Sequence, residues 1–201
     1  MTTEIPVDVD VLRDAIQKTY TDVSADPARD FIFPTGRSWA QDLGYPEPEL
    51  SRVPDGSVRS FAGVANPFSL GRIEPGSVVL DLGCGAGTDL LIAAQMTGPA
   101  GRVIGVDMTA AMLERARASA DEMGLAGVEL HESLIEALPV DDESVDVVIS
   151  NGVIDLVPDK ERVFDEINRV LCPGGRLQLA DVIIHTEVSE DARKRIDLWT
   201  G

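Results

Sequence analysis

Residues 78–89 read Val-Val-Leu-Asp-Leu-Gly-Cys-Gly-Ala-Gly-Thr-Asp, and three structural signals follow one another in them. Val78, Val79, Leu80 and Leu82 make an apolar, β-branched run that suits a strand buried on both faces. Gly83, Gly85 and Gly87 then allow a tight turn and let the backbone approach a ligand closely. Leu90 to Met96 continue as an apolar helix. A strand, a glycine turn and a helix N-terminus together make a nucleotide-type pocket. Asp107 follows Gly87 by 20 residues, at the end of the next apolar run, where an acid meets ribose hydroxyls.

The glycine spacing narrows the ligand. A dinucleotide fingerprint runs G-x-G-x-x-G. Here it runs G-x-G-x-G, and Asp81 stands at the end of the strand. A carboxylate there repels a pyrophosphate and attracts a cation, so a nicotinamide dinucleotide fits poorly.

Outward from this stretch, from Gly76 on, strand and helix patterns alternate. Strands are expected over residues 77–82, 102–107, 127–131, 145–150 and 175–184. Helices are expected over 87–97, 110–123, 159–171 and 188–199. Thr109 is placed to cap the second of these helices and Gly124 to end it. Pro173-Gly174-Gly175 reads as a turn into the fifth strand. Such alternation predicts an α/β fold of Rossmann type, a parallel sheet with helices on both faces.

Residues 1–75 have a different texture. Leu12, Ile16, Tyr20 and Val23 recur at helical spacing, which predicts an amphipathic helix over 8–24. Short helices are expected over 38–43, 46–50 and 66–70. The division expected is a helical N-terminal cap over 1–75 and a ligand-binding domain over 76–201.

Composition sets limits. The chain has 201 residues, a formal net charge of −18 and a pI near 4.3. That charge repels a phosphate backbone and argues against a nucleic-acid partner. No apolar run reaches the length of a membrane span, and no secretory leader is visible. Cys84 and Cys172 are far apart and in no metal-type spacing. These features lead us to expect a cytoplasmic protein without a bound metal.

Residues from about 38 to 201 resemble the class I S-adenosylmethionine-dependent methyltransferases, in particular their arsenite methyltransferase branch. The resemblance rests on Leu43-Gly44-Tyr45, Val53-Pro54, Asn66-Pro67 and the glycine-turn motif. It continues through Gly105-Val106-Asp107-Met108-Thr109, Ile135-Glu136-Ala137-Leu138-Pro139 and Ser150-Asn151-Gly152-Val153-Ile154. Further matches are Asp159-Lys160-Glu161-Arg162-Val163-Phe164, Pro173-Gly174-Gly175-Arg176 and Asp181-Val182. It implies S-adenosyl-L-methionine as cofactor, whose sulfonium and ammonium suit the carboxylate of Asp81. Gly83, Gly85 and Gly87 would approach its amino-acid part. Asp107 would take both ribose hydroxyls and Met108 would lie on the adenine face. The Ile135 amide would meet an adenine nitrogen, with Glu136 beside it. Asn151 would reach the methionyl part.

The resemblance has two departures. Arsenite-methylating members hold trivalent arsenic on cysteine thiolates, soft ligands for a soft centre. Their positions fall at Val64 and Gly152 here, and a third lies just past Trp199. The expected substrate is therefore a different small molecule. The family's sheet has seven strands, whereas this sequence stops within the helix after the fifth. The expectation is a C-terminally incomplete sheet whose fifth-strand edge pairs with a second copy or a complementing chain. A non-catalytic cofactor-binding or assembly subunit is the alternative reading. His185 and His131 lie near strand ends, but no catalytic base follows from the sequence.

Overall fold

The computed structural model describes residues 7–186, 188, 189, 191 and 195–199. Five strands, β1 (Val78–Leu82), β2 (Arg102–Asp107), β3 (Val128–Glu132), β4 (Val145–Asn151) and β5 (Leu171–Ala180), form one sheet in the order β3-β2-β1-β4-β5. All four pairings are parallel. The chain runs outward from β1 to β3 and then returns to place β4 on the other side of β1. This reversal opens a crevice at the carboxyl ends of β1 and β4, the usual ligand position in such sheets.

Side-chain alternation splits the core in two. Leu80, Leu82, Ile104, Val106 and Val148 face one way and pack on Val163, Ile167 and Val170 of helix α7 (Lys160–Val170). Val79, Val103, Val147 and Ile149 face the other way, onto Leu90 and Ala93 of α5 (Thr88–Thr97) and Leu113 of α6 (Ala110–Glu122). Helix α5 is apolar all round because it is covered twice. Its Leu91 and Ile92 pack on Tyr45, Leu50, Val53, Val58 and Phe61 of the N-terminal segment.

That segment is helical: α1 (Val9–Ala25), α2 (Arg37–Asp42), α3 (Glu47–Leu50), α4 (Asp55–Val58) and a 3-10 turn at Pro67–Leu70. The Asp8 carboxylate caps α1 by accepting from the amides of Asp10 and Val11. Gly44 ends α2 at a φ of +83°. Helix α4 had no separate signal in the sequence.

Several expectations change. The fifth strand lies four residues earlier than expected, because Pro173-Gly174-Gly175 form a bulge inside it rather than a turn before it. Val145 pairs with Leu171 and Val147 with Arg176, so the intervening residues of β5 arch out. Val182, Ile183 and Ile184, expected in the strand, are exposed beyond its end. Thr109 stands at the N-cap of α6, but its side chain makes no capping bond. Of the helix expected over 188–199, the described residues include a 3-10 turn at Ile196–Leu198, and residues 190 and 192–194 lie outside them. The outer side of β5 is an edge of the sheet, and among the described residues no strand pairs with it.

Gly87 shows how tightly the glycine turn seats α5. Its φ is +90°, and a Cβ there would lie 3.0 Å from the Cβ of Ala116 on α6. Gly87→Ala adds left-handed backbone strain of about 1–2 kcal/mol to that contact. Thermal unfolding should show a melting temperature lowered by at least about 3 °C at the domain's size. An unchanged melting temperature would mean that α5 and α6 are not held this closely.

Candidate functional site

At the carboxyl ends of the strands lies a cavity with an empty volume of about 1030 Å³, its open mouth included. The floor is the turn after β1. The Gly85 amide donates to Asp107 Oδ2 at 2.9 Å, and a Cβ at Gly85 would meet nothing within 4 Å. The backbone at Gly85 is thus pinned from below and open above. Asp107 also accepts from the Thr109 amide through Oδ1 at 2.8 Å, so one carboxylate ties the glycine turn to the start of α6. The Thr109 side chain adds a further hydrogen bond to the same carboxylate, which lines the cavity.

Three carboxylates share this floor and are close enough to perturb one another. Asp81 is 2% exposed, and its Oδ2 has no hydrogen-bond partner. Burial pushes its pKa well up, and the charges of Asp89 and Asp107 push it further. Asp89, at the start of α5, is raised from 3.8 to about 6 by burial, against the opposing pull of hydrogen bonds from Asn151 and Tyr45. Burial also raises Asp107, with the amides of Thr109 and Gly85 working against it. Arg13 is the one arginine or lysine lining the cavity among the described residues.

The N-terminal helices supply the far wall. Arg13 of α1 reaches Glu136 with Nη2 3.0 Å from Oε1, across 123 residues of chain. Gln17 Nε2 donates to the Met108 carbonyl at 2.7 Å. Tyr20 lines the cavity and stacks on Phe33 at 5.8 Å between ring centroids. Burial pushes its phenol up, with Asp155, Asp107 and Asp181 adding to the effect, so Tyr20 remains a protonated donor.

Asn151, at the end of β4, fastens the cap to the sheet. Its Oδ1 accepts from the amides of Val64 at 2.8 Å and Ala65 at 3.2 Å. Its Nδ2 donates to the Ala65 carbonyl at 2.8 Å and to Asp89 Oδ2 at 2.9 Å, and lies 3.0 Å from the Tyr45 hydroxyl. Tyr45 in turn donates to Asp89 Oδ1 at 2.6 Å.

Eight of the nine residues singled out in the sequence line this one cavity: Asp81, Gly83, Gly85, Asp107, Met108, Ile135, Glu136 and Asn151. Gly87 does not, since it is turned toward α6. The side chains of Asn151 and Glu136 are engaged by the cap. His131 and His185 do not line the cavity. Cys84 does, while Cys172 lies at the far end of the sheet with its sulfur 3.4 Å from Asp146 Oδ1. Arg13, Ser60, Thr88 and Asp89 line the cavity and were not singled out. For Thr88 and Asp89 the signal was available, because they directly follow the glycine turn.

Residues 73–200 match the family model of a methyltransferase domain. The chain belongs to the methyltransferase domain family. Over 167 residues this methyltransferase domain is 44% identical to an arsenite methyltransferase of Halobacterium salinarum, a match covering 83% of this chain and 42% of that protein. A demethylmenaquinone methyltransferase of Listeria welshimeri is 38% identical over 114 residues, covering 57% of this chain and 48% of that one. Among solved structures, an arsenic(III) S-adenosylmethionine methyltransferase from Chlamydomonas reinhardtii superimposes with a TM-score of 0.60 at 34% identity, covering 79% of this chain and 53% of that one. The chain therefore spans about half the length or less of these relatives.

The carboxylate floor should be visible in stability. The pKa of Asp89 rises on folding, so between about pH 4 and pH 6 the native state holds more of this proton than the unfolded chain. Its contribution to stability therefore falls as pH rises through that window, and Asp81 acts in the same direction. Asp81→Asn removes the most deeply buried of the competing charges. At pH 7.5 the ligand-free variant should melt about 2–4 °C above the parent, the response to roughly 1 kcal/mol at this size. The gap should narrow toward pH 5. A variant that melts lower at pH 7.5 would show that the Asp81 charge is compensated.

Proposed function

We propose that this chain binds S-adenosylmethionine in the cavity and transfers the cofactor's methyl group to a small molecule. The observation carrying the reading is the Asp81 carboxylate, buried beside Asp89 and Asp107 with an unpartnered oxygen at a glycine turn. Such a floor favours a cationic ligand, and the donor set fits this one. S-Adenosylmethionine bears an ammonium for Asp81 and a ribose for the carboxylate of Asp107. When bound it supplies an electrophilic methyl group on a positively charged sulfur.

The chain's own residues bind, orient and exclude water. Gly83 and Gly85 bring backbone to the amino-acid part. Met108 and Ile135 flank the adenine, and Glu136, held by Arg13, closes its edge. Asn151 acts through the cap, fixing the Val64–Ala65 backbone that walls the methionyl end. Helix α1 serves as a lid, latched by Arg13 on Glu136 and by Gln17 on the Met108 carbonyl. Holding the reactants together in a dry cleft contributes most of the rate enhancement in such a transfer. Asp107→Ala removes two charge-assisted hydrogen bonds to the ribose, each worth about 1.5–3 kcal/mol before water replaces part of the loss. Calorimetry should show S-adenosylmethionine binding weakened by at least about 10-fold, or 1.4 kcal/mol. No binding by the parent chain at millimolar ligand would refute the cofactor reading.

The acceptor is a small molecule other than arsenite in this reading. A Cβ on Gly152 would lie 3.0 Å from Val64 Cγ1, so the two positions where the resemblance places thiolates are neighbours. Valine and glycine offer no soft ligand there. Cys84 and Cys172 stand at opposite ends of the sheet. The chain should neither bind nor methylate arsenite. Gly152→Cys alone should not help, because its side chain meets Val64 at a φ of +70°. With Val64→Cys added, the double variant should gain trivalent-arsenic binding, read by mass spectrometry of the complex. Arsenite turnover by the parent chain would overturn this reading.

A further inference from the structure

Two carboxyl groups meet where β4 and β5 end. Asp181 directly follows β5, and Asp155 lies in the 3-10 turn at Ile154–Leu156, after β4. The Asp181 carboxylate cradles that turn. Its Oδ2 accepts from the Ile154 amide at 3.0 Å and the Asp155 amide at 3.3 Å, and its Oδ1 accepts from the Val182 amide at 2.8 Å. The Asp155 side chain is within hydrogen-bonding reach of it. Yet Asp155 Oδ1 is sealed from solvent, and no donor pairs it. Two ionised carboxylates in such contact repel, and a sealed, unpaired oxygen forfeits its hydration without return. One proton on Asp155 removes both costs, because it turns an orphan acceptor into a donor toward Asp181.

The described charged groups around the pair do not replace that proton. Lys160, at the start of α7, donates to the carbonyls of Asp155 at 2.8 Å and Val157 at 2.9 Å. Its charge pulls the Asp155 pKa down, but burial and then the bond and charge of Asp181 prevail and hold it at about 7. Tyr20 of α1 faces the pair as a protonated phenol.

The turn is also a wall. Val153, Leu156, Val157 and Pro158 line the cavity. Leu156 is buried with Leu12 and Ile16 of α1. The other half of α1 is anchored elsewhere, by Val23 in a cluster with Ala86 and Met112 and by Ser24 Oγ on the Ala111 carbonyl. We propose that Asp155 and Asp181 share one proton that holds this turn against the end of β5, and that losing it frees the turn and loosens the N-terminal half of α1 over the cavity. Asp155 is then a positioning residue, acting through Asp181 on the cavity wall, and it makes the site open as pH rises. The inference rests on this packing, whatever ligand the cavity takes.

The closed turn holds the proton up to about pH 7, and an open turn holds it only up to the ordinary carboxyl range near 3.8, so opening grows easier between about pH 5 and pH 7. Carboxyl carbon NMR of the whole chain should show one group titrating near pH 7 that vanishes in Asp155→Asn, whose amide donates to Asp181 at every pH. Amide hydrogen exchange, corrected for its intrinsic pH dependence, reads the opening. Across this window it should quicken at residues 12–16 and 154–156 by at least about 10-fold more in the parent than in Asp155→Asn. Residues 20–24 should behave alike in both. Asp181→Asn, which removes the neighbouring charge, should move the Asp155 titration down toward the ordinary range. An Asp155 titration unmoved by Asp181→Asn, or absent near pH 7 in the parent, would overturn the shared proton. A titration near pH 7 with matching exchange in parent and Asp155→Asn would overturn its hold on the wall, and so would an equal quickening at residues 20–24.

Discussion

The carboxamide of Asn151 is the joint on which the site depends. It sits at the end of β4, beside the crevice opened by the reversal of strand order. Its oxygen takes two cap amides, and its nitrogen meets a cap carbonyl, the Asp89 carboxylate and the Tyr45 hydroxyl. One side chain thus fixes the sheet, the start of α5 and the loop at 63–66 relative to one another. The cavity exists in its present shape because these three pieces cannot move apart without stranding buried donors and acceptors.

Around that joint the protein concentrates negative charge in a place where charge is costly. Asp81, Asp89 and Asp107 are all pushed toward their protonated forms by burial. A sequence selected for stability alone would not converge three carboxylates on one floor with, among the described residues, a single guanidinium in the cavity wall. The arrangement makes sense when a cationic ligand completes it, and stability given up at a site is a common companion of function. The net charge of −18 extends the same preference over the surface, where it favours approach of cations.

Helix α5 links this chemistry to the packing of the whole chain. Its first turn carries Thr88 and Asp89 into the cavity, and its body is buried between sheet and cap. Gly87 lets the turn pass within van der Waals distance of Ala116, which sets how far α5 stands from α6. The cap therefore contributes to the core as well as to the site, and displacing it would expose Leu91 and Ile92. Helix α1 is held by the buried side chains of Leu12, Ile16 and Val23 and by Ser24, whose Oγ donates to the Ala111 carbonyl and accepts from Arg115 Nε. Its bonds over the cavity are the Arg13–Glu136 pair and the Gln17 contact to the Met108 carbonyl.

The sequence by itself determined the strand, glycine turn and helix around Asp81, the alternation that makes the sheet parallel, and the placement of Asp107. These are local properties: β-branched runs favour strands, glycine alone enters the left-handed turn without cost, and the distance from turn to acid is set by one helix and one strand. The bulge at Pro173-Gly174-Gly175 defeated the same reasoning, because whether such a triplet ends a strand or arches within it is settled by the register of the neighbouring β4. Only the tertiary structure decided what Asn151, Glu136 and Gly87 do. Asn151 meets Val64 and Tyr45 across 87 and 106 residues, and Glu136 meets Arg13 across 123. No periodicity spans such separations.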